Sequence, residues 1–250
     1  MIAVGLVMAL AIGLTLGLFG GGGSILTVPV FVYVLGFDPK LAIAMSFPVV
    51  GATSLVGAIG NWRAGNVRLG SALLFGVVAM AGAFGGARAS RLLDGREQLL
   101  ILGVVMAAAA VMMLRSASRD ASAAAVPEAP SRLLYLVALS VGALTGVIGI
   151  GGGFLIVPAL VVFGSVPMRE AVGTSLLVIA MNCVSGYVGL RETRAIPWLF
   201  VISFSAVAIA GILGGTRLAA LVPQRTLKKG FAALLFVIAV LVLWQNRANL

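Results

Sequence analysis

Gly20-Gly21-Gly22-Gly23-Ser24-Ile25-Leu26-Thr27-Val28-Pro29 is a glycine run inside an apolar stretch that extends over residues 2–36. As one α-helix that stretch would be roughly 52 Å long at 1.5 Å per residue. The hydrocarbon layer of a bilayer is about 30 Å thick, so the chain must break or turn within it. Consecutive glycines are the cheapest place, because each costs about 1 kcal/mol in a helix interior. The stretch therefore reads as a spanning helix, a glycine turn and a short second helix of about a dozen residues ending near Gly36.

The same device recurs. Shifted by 129 positions without a gap, Gly20 to Pro29 falls on Gly149-Ile150-Gly151-Gly152-Gly153-Phe154-Leu155-Ile156-Val157-Pro158. Gly13 and Gly17 fall on Gly142 and Gly146, and Gly82-Ala83-Phe84-Gly85-Gly86-Ala87-Arg88 falls on Gly211-Ile212-Leu213-Gly214-Gly215-Thr216-Arg217. Two copies of one unit, each with a glycine-interrupted helix, is the layout of many secondary transporters. Between the copies, residues 116–131 (SASRDASAAAVPEAPS) are small, polar and proline-bearing, which reads as an extramembrane linker. The expected organisation is a first transmembrane repeat at 1–115, the linker at 116–131 and a second repeat at 132–250.

Composition sets the class. Hydrophobic residues make up 61% of the 250 and charged residues 10%, where a soluble domain is about half apolar and a quarter charged. Mean hydropathy is +1.18. Apolar runs at 2–19, 41–60, 67–87, 98–114, 133–148, 171–190, 196–216 and 231–245 can each span or nearly span a bilayer. They lack the alternating polarity of barrel strands. The expected fold class is an all-α polytopic membrane protein with about four to five membrane segments per repeat. The first run lacks a basic leader and its repeat partner is internal, so it reads as part of the fold and not as a cleavable signal. If the short helix returns across the membrane, each half has five passes and the halves are inverted. If it ends inside, each half has four full helices and the halves are parallel. Lys and Arg counts on alternate sides are near equal under both arrangements; the inverted one is expected.

The formal charge of +10 does not point to nucleic acid, because the basic residues sit between apolar runs where they contact lipid headgroups. Arg88 and Arg217 match across the repeat; snorkelling to headgroups is their expected role, attraction of anions to a pathway mouth the other. The chain has no histidine, its one cysteine, Cys183, lies in an apolar run, and its seven acidic residues stand at run ends or in loops. A thiolate metal site, a buried proton relay, a nucleotide-binding loop and a hydrolytic constellation all lack their residues. No cofactor, no metal and no enzyme activity are expected.

At membrane depth, freed backbone groups must face protein or a wet cavity, since each unsatisfied group costs several kcal/mol in lipid. Glycine lets backbone approach a ligand closely, and successive N–H groups can form an anion-binding nest. The helix after each run directs its positive dipole end at the break, and Pro29 and Pro158 are expected early in those helices, where a missing donor costs least. The expected binding residues for a small anion are Gly20, Gly21, Gly22, Gly23 and Ser24 with Gly149, Gly151, Gly152 and Gly153. Intramembrane Ser46, Thr53, Thr174, Ser175 and Asn182 would complete the shell; Ser46 matches Ser175 and Thr53 matches Asn182. The bland alternatives are that the glycines only let helices pack, as Gly13-x3-Gly17 and Gly142-x3-Gly146 fit well, and that the hydroxyls bond their own helix carbonyls.

At the glycine cluster with Val-Pro in each half (Gly20 to Pro29, Gly149 to Pro158), at Gly173-Thr174-Ser175-Leu176 and at the duplicated glycine pairs, the chain resembles the TauE/SafE family of membrane transporters, the sulfite exporter and toluene-sulfonate uptake permease group. The first half departs from this with Ala44-Met45-Ser46 where the second has Gly173-Thr174-Ser175. The resemblance spans nearly the whole chain and implies movement of sulfite, sulfonates or other organosulfur anions across the bacterial cytoplasmic membrane. The expected function is that of a secondary permease working by alternating access, with a small anion and the lipid bilayer as partners. A homo-oligomer is compatible with the chain. The rival classes are an anion channel and a membrane assembly subunit without a substrate.

Overall fold

The computed structural model describes residues 2–118, 132–148, 153–164, 166–190 and 196–247. Among these residues the chain is helical throughout, with no strand. Helices α1 (Ile2–Phe19), α2 (Ser24–Pro29), α3 (Pro39–Arg63), α4 (Leu69–Ala89) and α5 (Gly95–Ser118) form the first half. Helices α6 (Arg132–Ile148), α7 (Gly153–Val162), α8 (Met168–Leu190), α9 (Trp198–Leu221) and α10 (Gln224–Arg247) form the second. Seven helical segments among the described residues are long and apolar enough to cross a membrane, and α6 and α7 are shorter apolar helices. Large apolar side chains such as Val7, Leu73, Val77, Leu199, Ile202 and Phe236 are exposed on the outer faces, a surface suited to the apolar interior of a membrane.

The helices outrun the apolar segments because their ends are capped in polar surroundings. Asp38 accepts hydrogen bonds from the Lys40 and Leu41 amides and Pro39 occupies the first turn, so α3 begins before Leu41. Likewise α10 begins at Gln224 and carries Arg225, Lys228 and Lys229 on its first turns. Helix α5 runs through Ser118, three residues into the stretch read as linker.

Glycine sets the crossings between halves. On α1, a Cβ at Gly13 or Gly17 would strike the backbone of α9 around Ala208, Ile212 and Gly215; Gly211 and Gly215 meet α1 in the same way. The repeat-related pair is α6 on α4, where Gly142 and Gly146 meet Ala79, Ala83 and Ala87, and Gly82 and Gly86 meet Ala143. Each half thus lends its first helix to the other half's α4-type helix, with backbones in van der Waals contact. These two pairs run parallel. Helices α3 and α8, equivalent under the 129 shift, cross with opposite polarity: Phe47 packs on Gly186, Gly51 faces Cys183, and Gly57 packs on Leu176.

The short segment after the first glycine run folds back along α1. A Cβ on Gly23 would overlap Ile12 and Leu16, and one on Gly5 would meet the Leu35 side chain at 3.6 Å. Its far end is held by an aromatic cluster in which Phe31 lies 5.0 Å from Phe204 and 5.9 Å from Phe200, ring centre to ring centre. Pro29 and Pro158 correct the sequence expectation. Each is the sixth residue of its helix, not a first-turn residue. Pro29 offers no N–H to the helical ladder, and the chain continues as a wider π turn over Val30–Val34, closed by the Leu35 amide on the Val30 carbonyl at 3.0 Å.

Candidate functional site

Gly20–Gly23 is a tight 3-10 turn with all four residues buried. Gly20 has φ +64°, in the left-handed region that favours glycine. A Cβ there would stand 2.7 Å from Ser175 Oγ and 3.0 Å from Val172 Cα. At Gly21 a Cβ would overlap the Gly153 peptide, and at Gly153 one would strike Gly21 and Ile179. Gly21 of the first interruption and Gly153, where α7 begins, therefore meet backbone to backbone, and α8 closes over them. A Cβ on Gly22 would instead meet the Phe231 ring at 2.8 Å and Phe19 Cβ at 3.0 Å. Gly149, Gly151 and Gly152 lie outside the described residues.

The polar residues divide into three groups. Ser24 Oγ donates to Gly21 O at 2.6 Å, Ser46 Oγ to Ile43 O at 2.7 Å, Thr53 Oγ1 to Val49 O at 2.7 Å and Ser175 Oγ to Val172 O at 2.8 Å. These four bonds stay within their own helix turns, and Ser175 also abuts Gly20. Thr174 is placed elsewhere: its Oγ1 accepts from the Arg68 amide at 3.1 Å, at the start of α4. Asn182 stands apart. It is 1% exposed, and neither its amide nitrogen nor its amide oxygen has a hydrogen-bond partner. Val172 and Ser175 touch Gly20 and Ile179 touches Gly153, so Asn182, three residues past Ile179, continues that same face of α8. An unpaired buried amide costs about 1–3 kcal/mol, so a residue kept in this state beside the break calls for a partner.

On either side of the break lies a cavity. One, of about 90 Å³, is lined by Lys40, Ile43, Ser90, Arg91, Gln98 and Leu190 among others. The second, of about 30 Å³, is lined by Asn61, Asn66, Arg169, Val172, Ala219 and Leu227 among others. The 129 shift carries one onto the other: Lys40 to Arg169, Ile43 to Val172, Ser90 to Ala219, Gln98 to Leu227 and Asn61 to Leu190. They stand at opposite ends of α8, the second near Met168 and the first near Leu190.

At each, a basic residue near the start of the α3-type helix holds the end of the α4-type helix. Lys40 Nζ donates to Ser90 O at 3.0 Å and Leu93 O at 2.7 Å; Arg169 Nη2 donates to Ala220 O at 3.0 Å. Among the described residues, the ion pair between the halves lies at the Arg169 end, Arg68 to Glu170.

Sequence reasoning singled out Arg88 and Arg217 instead. Both are exposed, and Arg88 lies over the Phe84 ring with 4.4 Å between its guanidinium carbon and the ring centre, as a snorkelling side chain does. Lys40, Arg91, Gln98 and Arg169 escaped it. The available signal was the match of Lys40 with Arg169 at the same offset of 129.

With this geometry in view, comparison with known proteins gives a consistent answer. The model of the family "Sulfite exporter TauE/SafE" matches residues 5–242. A "Probable membrane transporter protein" of Xylella fastidiosa (strain 9a5c) is 34% identical, over 96% of this chain and 94% of that protein. The "Probable membrane transporter protein YdhB" of Bacillus subtilis is 25% identical over 87% and 90%, and the "Probable membrane transporter protein MJ0441" of Methanocaldococcus jannaschii is 23% identical over 83% and 79%. No solved structure matches the chain. The chain belongs to the sulfite exporter TauE/SafE family and is a multi-pass membrane transporter protein.

Proposed function

We propose that this transporter is a secondary permease of the cytoplasmic membrane that moves a small organosulfur or sulfur oxyanion, with sulfite and sulfonates as the leading candidates. The anion would be held where the glycine breaks meet, by backbone amides of Gly20–Gly23 and of the matching run ending at Gly153, together with Ser175 and Asn182. The single observation that carries this reading is the contact of Gly21 with Gly153 against α8, the helix that touches both Gly20 and Gly153 and carries a buried Asn182 with no partner among the described residues. Two helix interruptions placed face to face, with a small-residue floor and a free amide wall, are how half-helix transporters grip a solute. No fixed cation stands in that wall, so a singly charged anion suits it better than a dianion: burying charge without a counterion is costly.

The same reading takes the halves as inverted. Support comes from the opposite polarity of the equivalent helices α3 and α8, which a twofold axis in the membrane plane produces and an axis along the membrane normal does not. Two related cavities at opposite ends then become the two mouths of an alternating-access cycle. Nothing in this scheme asks for a cofactor or a bond-breaking step.

The experiment is flux in proteoliposomes loaded in turn with sulfite, sulfate, thiosulfate and methanesulfonate, with membrane current recorded in parallel. Saturable movement of sulfite or methanesulfonate is expected. Non-saturating conductance would place the protein among channels. Absence of both flux and ligand-induced thermal stabilisation across the panel would favour an assembly role.

A further inference from the structure

The larger cavity has a chemistry of its own. Its described lining carries two cations, Lys40 and Arg91, and no acidic residue. Low-dielectric walls on both sides concentrate the resulting positive potential. Both cations cap helix ends: Lys40 holds the carbonyls of Ser90 and Leu93, and Arg91 Nη2 holds those of Gly189 and Leu190 at 3.2 Å each. Capping uses two of the three ammonium donors on Lys40 and one nitrogen of Arg91, out of three donors and five N–H groups respectively.

Capping alone leaves a further fact without a role. Gln98 is 2% exposed, its Nε2 donates to Val147 O at 2.8 Å, and its Oε1 has no partner. A buried acceptor without a partner, on a residue lining the same cavity as two cations, is costly unless a ligand brings acceptors for the cations and a donor for Gln98. At the repeat-related cavity the sign is the same: Arg169 Nε is buried without a partner, and the lining again includes no acidic residue.

We propose that the Lys40–Arg91–Gln98 cavity is a second anion site, a vestibule separate from the glycine break, and that it receives a small oxyanion carrying an O–H, such as hydrogensulfite. Lys40 and Arg91 donate to its oxygens, and its O–H donates to Gln98 Oε1. The Arg169 cavity is its repeat-related counterpart at the other end, where only the cation at the Lys40 position is kept: Ala220 stands for Arg91 and Leu227 for Gln98. Each vestibule adjoins the break: Val172, lining the smaller one, has its Cα 3.0 Å from where a Gly20 Cβ would be, and Gln98 bonds Val147, two residues before the second glycine run. The role as a vestibule rests on the transport reading; the existence of the site does not.

The test is equilibrium binding of sulfite and of methanesulfonate to the purified full-length protein in low-chloride buffer, alongside vesicle flux. The wild type is expected to bind sulfite, with a loss of tenfold or more in the double variant Lys40→Gln/Arg91→Gln. Lys40→Arg, which keeps the charge, should retain binding and guards against reading misfolding as loss. Gln98→Leu should weaken sulfite several-fold and leave methanesulfonate, which has no O–H, unchanged.

Wild-type failure to bind either probe overturns the site. So does undiminished sulfite binding in the double variant, and in that case persistent flux leaves the transport reading standing. Repeating the titration in phosphatidylcholine nanodiscs with and without phosphatidylglycerol separates a free anion from a lipid phosphate. Displacement of sulfite by phosphatidylglycerol overturns the proposal, and indifference to it supports a soluble ligand.

Discussion

The two ends of the molecule are built from equivalent residues, yet they are not alike. At the Leu190 end the cavity measures about 90 Å³ and no ion pair bridges the halves among the described residues. At the Asn61 end the cavity measures about 30 Å³, and Arg68 on the first half pairs with Glu170 on the second. The same Arg68 also donates its backbone N–H to Thr174. At the Leu190 end, the positions equivalent to Arg68 and Glu170 are Pro197 and Leu41, which can form no such pair. Divergence at these positions gives the Asn61 end a pair that the equivalent residues at the Leu190 end cannot form. The Asn61 end is the tighter of the two in this structure, with the smaller cavity and an ion pair across the halves.

The largest effect should come from the point where the halves touch. A side chain at Gly21 would overlap the Gly153 peptide, and backbone cannot step aside as a flexible side chain can. Gly21→Val is expected to abolish flux, and Gly21→Ala to reduce it to near background, while the protein still inserts. Gly22→Val, which meets the Phe231 ring and Phe19 Cβ but not the backbone of the other half, should be the milder of the two valine variants, because side chains can give way where backbone cannot. Flux in proteoliposomes, with size-exclusion profiles to confirm folding, is the measurement. Wild-type rates in Gly21→Val would remove the glycine break from the mechanism.

The Arg68–Glu170 pair comes next. Its side chains are 38% and 33% exposed, so the pair is worth up to about 1 kcal/mol, or about fivefold in an equilibrium between two conformations. In a Cys183→Ser background, Leu190→Cys should react with a membrane-impermeant maleimide faster than Asn61→Cys. Adding Glu170→Ala should raise the Asn61→Cys rate several-fold and lower the other. Exchanging the charges, Arg68→Glu with Glu170→Arg, should restore the original ratio. Installing a pair at the Leu190 end, Leu41→Glu with Pro197→Arg, should push the ratio the opposite way. Inversion of the halves also requires that the two cysteines be reached from opposite faces of the membrane, so labelling both from the same side breaks the comparison at its root.

Much of this was legible in the sequence because it is written as regularity along the chain. The repeat offset, the glycine run that cannot stay helical, the length of the returning segment and the small-residue stripes at Gly13, Gly17, Gly142 and Gly146 all follow from local spacing. What was not legible depends on helices crossing. Lys40 and Arg169 have the local signature of headgroup anchors, a basic residue near a helix start; only the packing of α4 and α9 against them makes them cavity walls. Thr174 sat next to Ser175 in sequence and was grouped with it, but neighbours on a helix point about 100° apart, and the structure gives Thr174 to Arg68 and Ser175 to Gly20. The lateness of Pro29 in its helix was hidden for a similar reason. Where a helix begins beyond a glycine run is decided by what the glycines pack against.

The smallest effect on stability belongs to a matched pair whose two members should respond differently. Thr53 and Asn182 occupy equivalent positions and both are buried, but Thr53 spends its hydroxyl on Val49 O while both amide atoms of Asn182 are unpaired. Thr53→Val removes a satisfied hydroxyl, exposes one carbonyl that the helix already uses, and should change Tm and flux little. Asn182→Leu removes an unpaired amide from an apolar surrounding, which on packing grounds should raise Tm by a few degrees. If that amide serves only the fold, flux should survive the substitution. If it holds a passing anion, flux should fall tenfold or more while Tm rises, and added sulfite should no longer stabilise the protein. A variant that gains stability and loses transport together would mark Asn182 as a residue kept for its ligand at the expense of the apo fold. Parallel loss of both would reassign it to the scaffold.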